Sequence, residues 1–112
     1  MTLTALVAVS ASAQVDDGAV DAAVDTGCPS GAVCVYPDAS WNGGNPSYVF
    51  WSYGVHRIYN QYGVYRVFNN QTDDATIQLC IGSDGTDCTY LPAGWTKIYD
   101  LTIINSVALQ PT

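Results

Sequence analysis

The sequence has few positive charges. Its 112 residues include 10 acidic side chains, all of them Asp, but only three Lys or Arg, which gives a formal net charge of −7. Nucleic acids and anionic membrane surfaces are bound by clustered Lys and Arg, so this composition argues against both as partners. We therefore expect the partners to be proteins or neutral ligands. We also expect the protein to be a monomer.

The chain also lacks a long apolar run. Residues 1–13, MTLTALVAVSASA, contain an apolar stretch that is far too short to span a bilayer. The stretch ends in an A-x-A pattern, with Ala11 and Ala13 placed for cleavage before Gln14, although no Lys or Arg precedes it. We interpret residues 1–13 as the remnant of a signal peptide and the protein as secreted and extracellular. The alternative is that this segment has another role.

The next segment has no aromatic residue. Residues 14–27, QVDDGAVDAAVDTG, hold four Asp among Ala, Val and Gly, with no clear period. Such a composition cannot bury enough apolar surface to order itself. We interpret it as a flexible acidic leader, and a short Ala-rich helix is the alternative.

Residues 28–112 lack sustained helical spacing and are rich in aromatic and β-branched residues, as is typical of an all-β domain. Turn-forming stretches such as PDASWNGGNP, NNQTDD and LPAG separate the apolar runs. Short strands at this spacing predict a sandwich or barrel. The candidate strands are Ala32–Tyr36, Ser47–Tyr53, Val64–Asn69, Thr76–Ile81, Thr96–Tyr99 and Ser106–Leu109, with a less certain one at Arg57–Tyr59.

A faint internal repeat divides the domain in two. Each half has a strand that carries a cysteine, Cys34 or Cys80, then a Gly-containing loop, and finally a short Val-centred strand. A twofold repeat of about forty residues fits two Greek-key motifs that share one core.

Four cysteines in a short exported chain favour disulfides over free thiols. Three pairings are possible. We favour the two local ones, Cys28–Cys34 and Cys80–Cys88, because each closes a Gly-containing loop between neighbouring strands. Each small ring contributes about 2.5 kcal/mol of stability by the chain-entropy estimate. A zinc site is the rival interpretation, but the spacings are unlike C-x-x-C and the sequence has a single His.

Several residues resemble a known family. The stretch CPSGAVCVYPDASWNGG is similar to the opening of the small exported inhibitors of thermolysin-like metalloproteinases typified by the Streptomyces metalloproteinase inhibitor. In that family C-P-S-G-x-x-C-x-Y and an aromatic-x-G-G turn recur. The cysteine-bounded loop and the closing INSVAL fit the same pattern, so the resemblance covers roughly Cys28 to Leu109. It implies a protease inhibitor with a βγ-crystallin-like sandwich of two Greek keys.

The resemblance also implies a reactive peptide bond. In these inhibitors it follows the first cysteine of the second disulfide loop, which here means Cys80–Ile81. Thermolysin-like enzymes select an apolar side chain just after the cleaved bond, and Ile81 supplies one. A loop closed by Cys80–Cys88 enters the enzyme already ordered and holds both ends together if the bond is cut. The implied partner is a secreted thermolysin-like metalloproteinase.

Two interpretations of Ile81 stay open. Ile77, Leu79 and Ile81 are spaced two apart, so a strand that continues through residue 81 directs Ile81 into the core. If the strand ends at Cys80, as Gly82 permits, Ile81 faces outward and can enter an enzyme.

Other candidate sites are weaker. No nucleophile motif accompanies His56, and the cysteines are expected to be oxidised, so we do not expect an enzyme. NNQTDD has the acidic pair of a βγ-crystallin calcium site but lacks its Ser-Ser ending. We therefore interpret Asp73 and Asp74 as turn carboxylates and expect neither a metal nor another cofactor. Asp84 and Asp87 make the loop IGSDGTD more acidic than the corresponding loop of the inhibitors. The identity of the target enzyme therefore stays open.

Eight Tyr and three Trp suggest an alternative function. They can stack on carbohydrate, which would make the chain a non-catalytic βγ-crystallin-like module that binds cell-wall carbohydrate or acts as a small antimicrobial toxin. A small sandwich also fills its core with aromatic residues. We expect this core role for Trp51 and Phe68, whereas Tyr59, Tyr62 and Tyr65 are expected to be partly exposed.

Overall fold

The part of the chain that the structure describes contains nine short strands. This computed structural model describes residues 17–21, 24–59 and 61–111. The expected signal peptide, residues 1–13, and the first residues of the expected leader lie outside the described part. The strands are β1 (Gly18–Ala19), β2 (Val33–Val35), β3 (Tyr48–Phe50), β4 (Gly54–Arg57), β5 (Val64–Asn69), β6 (Thr76–Cys80), β7 (Cys88–Leu91), β8 (Trp95–Asp100) and β9 (Ser106–Gln110).

The strands form two antiparallel sheets, with the orders β1-β8-β5-β2-β3 and β4-β9-β6-β7. Strands β2 to β5 are one unit and strands β6 to β9 are a second. In each unit the fourth strand lies beside the first and the first beside the second, as in a Greek key, whereas the third strand joins the opposite sheet. The two units therefore exchange β4 and β8. This confirms the expected all-β, βγ-crystallin-like sandwich of two Greek keys.

The main core lies between the two sheets and is almost entirely aliphatic. Along β6, Ile77 and Leu79 are buried while Thr76 and Gln78 are partly exposed, which is the alternation of a strand with one face in a core. Each fully buried aliphatic side chain stabilises the fold by roughly 1.5–3 kcal/mol. The buried members are Val33, Val35, Ile58, Val67, Ile77, Leu79, Leu91, Leu101, Ile104, Val107 and Leu109.

A second, smaller cluster covers the outer face of the five-stranded sheet. Cys34 lies between the core residues Val33 and Val35, so its side chain points to the opposite face. There the Cys28–Cys34 disulfide ties the segment before β2 to the sheet. Both expected local pairings, this one and Cys80–Cys88, are present. The buried members of the outer cluster are Cys28, Ala32, Cys34, Tyr36 and Phe68, with Val20 and Trp41 packed against them.

Arg66 is a buried cation at the same outer face, with only 4% of its surface exposed. Its Nε donates to the Ala39 carbonyl oxygen at 3.0 Å, and one terminal nitrogen donates to the Thr96 hydroxyl at 3.1 Å. The guanidinium carbon lies 4.4 Å from the centroid of the Trp41 ring. These contacts compensate for the loss of water around the charge.

We expect Arg66→Met to lower the free energy of unfolding by about 2–4 kcal/mol, because buried acceptors lose a charged donor while the length of the side chain is kept. Urea unfolding measures the change. Arg57→Met removes the same charge from an exposed position and should change stability by less than about 0.5 kcal/mol. Equal effects of the two substitutions would contradict a specific role for the buried contacts.

The buried Tyr36 makes the free energy of unfolding depend on pH in the alkaline range. Its side chain is fully buried, and its hydroxyl donates to the Thr26 carbonyl oxygen at 2.7 Å. Burial raises the pKa of Tyr36 from 10.0 to about 12. The unfolded chain therefore loses this proton at lower pH than the folded chain. The stabilising contribution is complete below the unfolded pKa and is lost as the pH rises through the folded pKa.

Between about pH 9 and about pH 11.5, we expect the wild-type protein to lose about 2 kcal/mol more stability than a Tyr36→Phe variant, which has no proton to release here. Urea unfolding of both proteins at the two pH values gives this difference, and the other tyrosines cancel in the comparison. Equal losses in the two proteins would contradict the raised pKa.

Part of the expected leader lies on a sheet edge. Gly18 and Ala19 form β1 and pair with β8, and the Asp17 carboxylate accepts a hydrogen bond from the Ile98 N–H at 2.9 Å. These contacts cover backbone groups of β8 that would otherwise be unpaired. The composition of this segment predicts flexibility. It misses the strand because composition carries no information about a sheet edge whose backbone groups need a partner.

Strand pairing also explains where the expected strands differ from the observed ones. β4 covers Gly54–Arg57 and not residues 57–59, because its register against β9 places His56 opposite Val107. The strand β7 was not expected.

The two aromatic residues predicted for the core differ in their burial. Trp51 is 59% exposed in the turn between β3 and β4, so its predicted place in the core is wrong. Phe68 is only 5% exposed, as expected.

Candidate functional site

The second disulfide closes a ring at the end of the β6–β7 hairpin. Cys80 and Cys88 are directly opposite each other in the strand pair, and their Cα atoms are 4.0 Å apart. We call residues 81–87, which lie between the two cysteines, the ring loop. It contains the polar segment GSDGTD and the candidate contact residue Ile81.

Hydrogen bonds within the ring loop continue the strand ladder beyond the disulfide. The Ile81 N–H donates to the Asp87 carbonyl oxygen at 3.0 Å, and the Gly82 N–H donates to that of Thr86 at 2.9 Å. The Gly85 N–H donates to the Gly82 carbonyl oxygen at 3.2 Å and closes the turn. A Cβ atom on Gly82 would lie 2.0 Å from Thr86 Oγ1, so only glycine fits this close approach without a shift.

Ile81 is exposed. β6 ends at Cys80, and 45% of the Ile81 surface is accessible. The side chain borders a surface depression of about 340 Å³ that Leu79 and Ile104 also line. Ile81 thus follows the apolar side of β6 but lies at the open end of the sandwich, beyond the buried core. Of the two interpretations that the sequence left open, the outward-facing one describes the structure.

Cys80, on the other side of the candidate bond, is fully buried. Its carbonyl oxygen accepts a hydrogen bond from the Asn105 N–H at 2.8 Å. A zinc enzyme polarises the carbonyl of the bond that it cleaves, so it would have to displace this hydrogen bond. The Ile81 N–H is bonded as well. We therefore expect slow hydrolysis of the Cys80–Ile81 bond, because the exposed group is the Ile81 side chain and not the peptide.

Strand β9 and the residue before it support the ring loop. The Asn105 side-chain amide donates to the Ile81 carbonyl oxygen at 2.7 Å, and the Ser106 hydroxyl donates to that of Gly82 at 2.6 Å. Sequence analysis gave neither residue a role, although both lie in the INSVAL stretch. Their position follows from the pairing of β6 with β9, which places Cys80 opposite Ser106.

The ring loop presents negative charge beside Ile81. Asp84 and Asp87 are both exposed. The Asp84 carboxylate accepts a hydrogen bond from the Thr86 hydroxyl at 2.9 Å, and Arg57 Nε donates to the Ser83 carbonyl oxygen at 3.3 Å. Asp87 borders the same depression as Ile81, whereas Asp84 and Arg57 line a separate one, so a partner that contacts Ile81 meets an aliphatic side chain beside Asp87.

The other candidate residues lie elsewhere. The His56 ring stacks on Phe50 with centroids 4.8 Å apart, and its Nε2 lies 2.7 Å from the Ser52 carbonyl oxygen. Asp73 and Asp74 have positive φ values in the turn between β5 and β6.

Within residues 17–21, 24–59 and 61–111, no three His, Cys, Asp or Glu side chains are grouped so that they could hold a metal ion. The same residues include no helix with the length and apolar character needed to cross a membrane.

Exposed aromatic side chains form a second candidate surface at the connection between β3 and β4, which crosses from one sheet to the other. Trp51 and Tyr53 are 59% and 57% exposed in the turn between these strands, and Val55 follows them on β4 at 47%. Tyr59 and Tyr62 are exposed as well, as the sequence predicted. Exposed aromatic rings such as these can stack on a sugar ring.

Comparison of the chain with protein-family models, with curated proteins and with solved structures gives no match.

Proposed function

We propose that this protein is a secreted inhibitor of thermolysin-like metalloproteinases and that it places Ile81 in the active-site cleft. One observation carries the proposal: an exposed aliphatic side chain stands at the first position of a loop that is closed by a disulfide and held by its own hydrogen bonds. A loop ordered in advance loses little conformational entropy on binding, so more of the contact energy appears as affinity.

The same geometry favours inhibition over turnover. Both peptide groups next to Ile81 are hydrogen-bonded inside the protein, through Asn105 and Asp87. An enzyme that accepts the side chain must break these bonds before it can cleave the backbone. If cleavage occurs, the Cys80–Cys88 disulfide keeps the new ends together, so the product does not diffuse away and the bond can re-form.

The two disulfides are compatible with an oxidising, extracellular location, where a secreted protease would be met. The resemblance of Cys28 to Leu109 to metalloproteinase inhibitors supports the same class of partner. The enzyme supplies the zinc ion in this proposal, and the inhibitor needs no cofactor and performs no catalysis.

Enzyme assays test the proposal. The purified protein should inhibit thermolysin in proportion to its concentration, whereas subtilisin and papain, which use serine and cysteine nucleophiles, should keep full activity. Thermolysin saturated with a small zinc-binding inhibitor should no longer bind the protein. Full activity of thermolysin at micromolar protein would overturn the proposal.

A second function, carbohydrate binding, is favoured by the exposure of Trp51 and Tyr53 at the connection between β3 and β4. Retention on insoluble cell-wall polysaccharide, lost in a Trp51→Ala variant, is the expected result for this alternative. If the protein passes through the polysaccharide while inhibiting thermolysin, the alternative is excluded.

A further inference from the structure

Asn105 connects the ring loop to a second exposed turn. Its side-chain nitrogen lies 2.7 Å from the Ile81 carbonyl oxygen and 3.4 Å from the Ile103 carbonyl oxygen. Its backbone N–H donates to Cys80, and its carbonyl oxygen accepts from the Ile58 N–H at 3.1 Å. Asn105 thus hydrogen-bonds to the carbonyl oxygens on both sides of Ile81 and to the carbonyl oxygen of Ile103.

Ile103 is an aliphatic side chain in an exposed position, with 57% of its surface accessible. The turn that presents it is well held. The Ile104 N–H donates to the Leu101 carbonyl oxygen at 3.0 Å, and both of these residues are buried in the core. Hydrogen bonds from the Thr102 hydroxyl and N–H lower the pKa of the Asp100 carboxyl at the start of the turn.

The backbone segments at Ile81 and Ile103 therefore lie close together, because their carbonyl oxygens lie within reach of a single nitrogen atom. Neither side chain has a core role that requires this arrangement, since both are exposed. Two exposed aliphatic side chains on backbone segments that are held this close suit a partner with an elongated apolar cleft.

We infer that Ile103 is a second contact with the enzyme and that Asn105 is the positioning residue that sets Ile103 and Ile81 relative to each other. The inference rests on the proposed function. The occupant of this surface is the cleft of a thermolysin-like metalloproteinase, whose apolar walls on one side of the zinc receive Ile81 while Ile103 contacts the rim.

Two test variants, each paired with one control variant, test the inference. Ile103→Ser removes the second contact, and Val49→Ser is its control, because Val49 is an exposed aliphatic residue on β3 in the other sheet. Asn105→Asp removes the side-chain donor. Asn70→Asp is its control, since that amide donates to the carbonyl oxygen of Cys28, at the other disulfide.

We expect Ile103→Ser and Asn105→Asp each to weaken inhibition of thermolysin by roughly tenfold, the effect of one lost contact or of one loosened loop. Asn105→Asp should also raise the rate at which thermolysin cleaves the Cys80–Ile81 bond, which mass spectrometry after reduction reports. A purely structural role would lower the thermal midpoint without raising the rate of cleavage at the Cys80–Ile81 bond. Both control variants should inhibit as the wild type does.

The outcomes separate the two proposals. If the wild-type protein does not inhibit thermolysin, the proposed function fails. If the wild type inhibits and Ile81→Asp does not, while Ile103→Ser and Asn105→Asp behave like their controls, only the present inference is overturned. Because Ile103 is exposed, its variant decides the matter even if Asn105→Asp does not fold.

Discussion

Ile81→Asp should weaken the inhibition of thermolysin by at least about 100-fold. The substitution removes an aliphatic contact worth about 2 kcal/mol and places an unpaired carboxylate in an apolar cleft, where its desolvation costs several kcal/mol more. Stability should hardly change, because 45% of the Ile81 surface is already in water. Inhibition constants and the urea midpoint are the two measurements.

Two further variants make this result specific. Ile81→Val keeps an aliphatic side chain and should retain inhibition within about tenfold, which corresponds to the loss of one methylene group. Val49→Asp introduces the same charge on the outer face of β3 and should leave inhibition unchanged. Strong inhibition by the Ile81→Asp protein would remove Ile81 from the contact surface.

The second large effect is expected when the Cys80–Cys88 disulfide is replaced by two alanines. The free energy of unfolding should fall by about 2.5 kcal/mol, because the unfolded chain gains the freedom of an open ring. The ring loop would keep its hydrogen bonds but open more often. Thermolysin should then cleave the chain in the loop and release both ends, so that inhibition fades during the assay.

The other disulfide provides the control. Cys28–Cys34 closes a ring of similar size, with a sequence separation of 6 against 8, but lies on the outer face of the other sheet. Its replacement by two alanines should cost comparable stability and leave inhibition intact in assays below the unfolding temperature. If the two double variants lose inhibition equally, the effect is one of global stability and not of the ring loop.

The fold was largely predictable from the sequence. The strand Val64–Asn69 was predicted with the bounds that the structure shows, because it is a short run rich in β-branched and aromatic residues that turn residues flank. The local disulfides followed from the Gly-containing loops between neighbouring strands. The strand β7 was not predicted, since Cys88 to Leu91 has no clear alternation and becomes a strand only through its pairing with β6.

The candidate site was only partly predictable. The sequence marked the ring and Ile81, but could not decide whether Ile81 is exposed, because its position along β6 continues the apolar alternation of Ile77 and Leu79. Its exposure depends on where the facing sheet ends, which is a tertiary property. Asn105 lies 24 residues from Ile81 in the chain, and only the β6–β9 register brings them together.

The pairing of β6 with β9 also explains how the ring loop is held. The sandwich holds the ring loop from one side through Asn105 and Ser106, and the disulfide closes it at its base. Inhibition in this account comes from a loop whose shape is fixed by the fold before the enzyme arrives.

Mass spectrometry of the protein after prolonged incubation with thermolysin tests the central claim most directly. We expect the chain to stay intact or to gain the mass of a single water, with reduction then releasing two fragments that meet between Cys80 and Ile81, while the enzyme remains inhibited. Rapid cleavage at other bonds, or a fully active enzyme beside an untouched protein, would contradict the claim that Ile81 in its closed loop occupies the cleft.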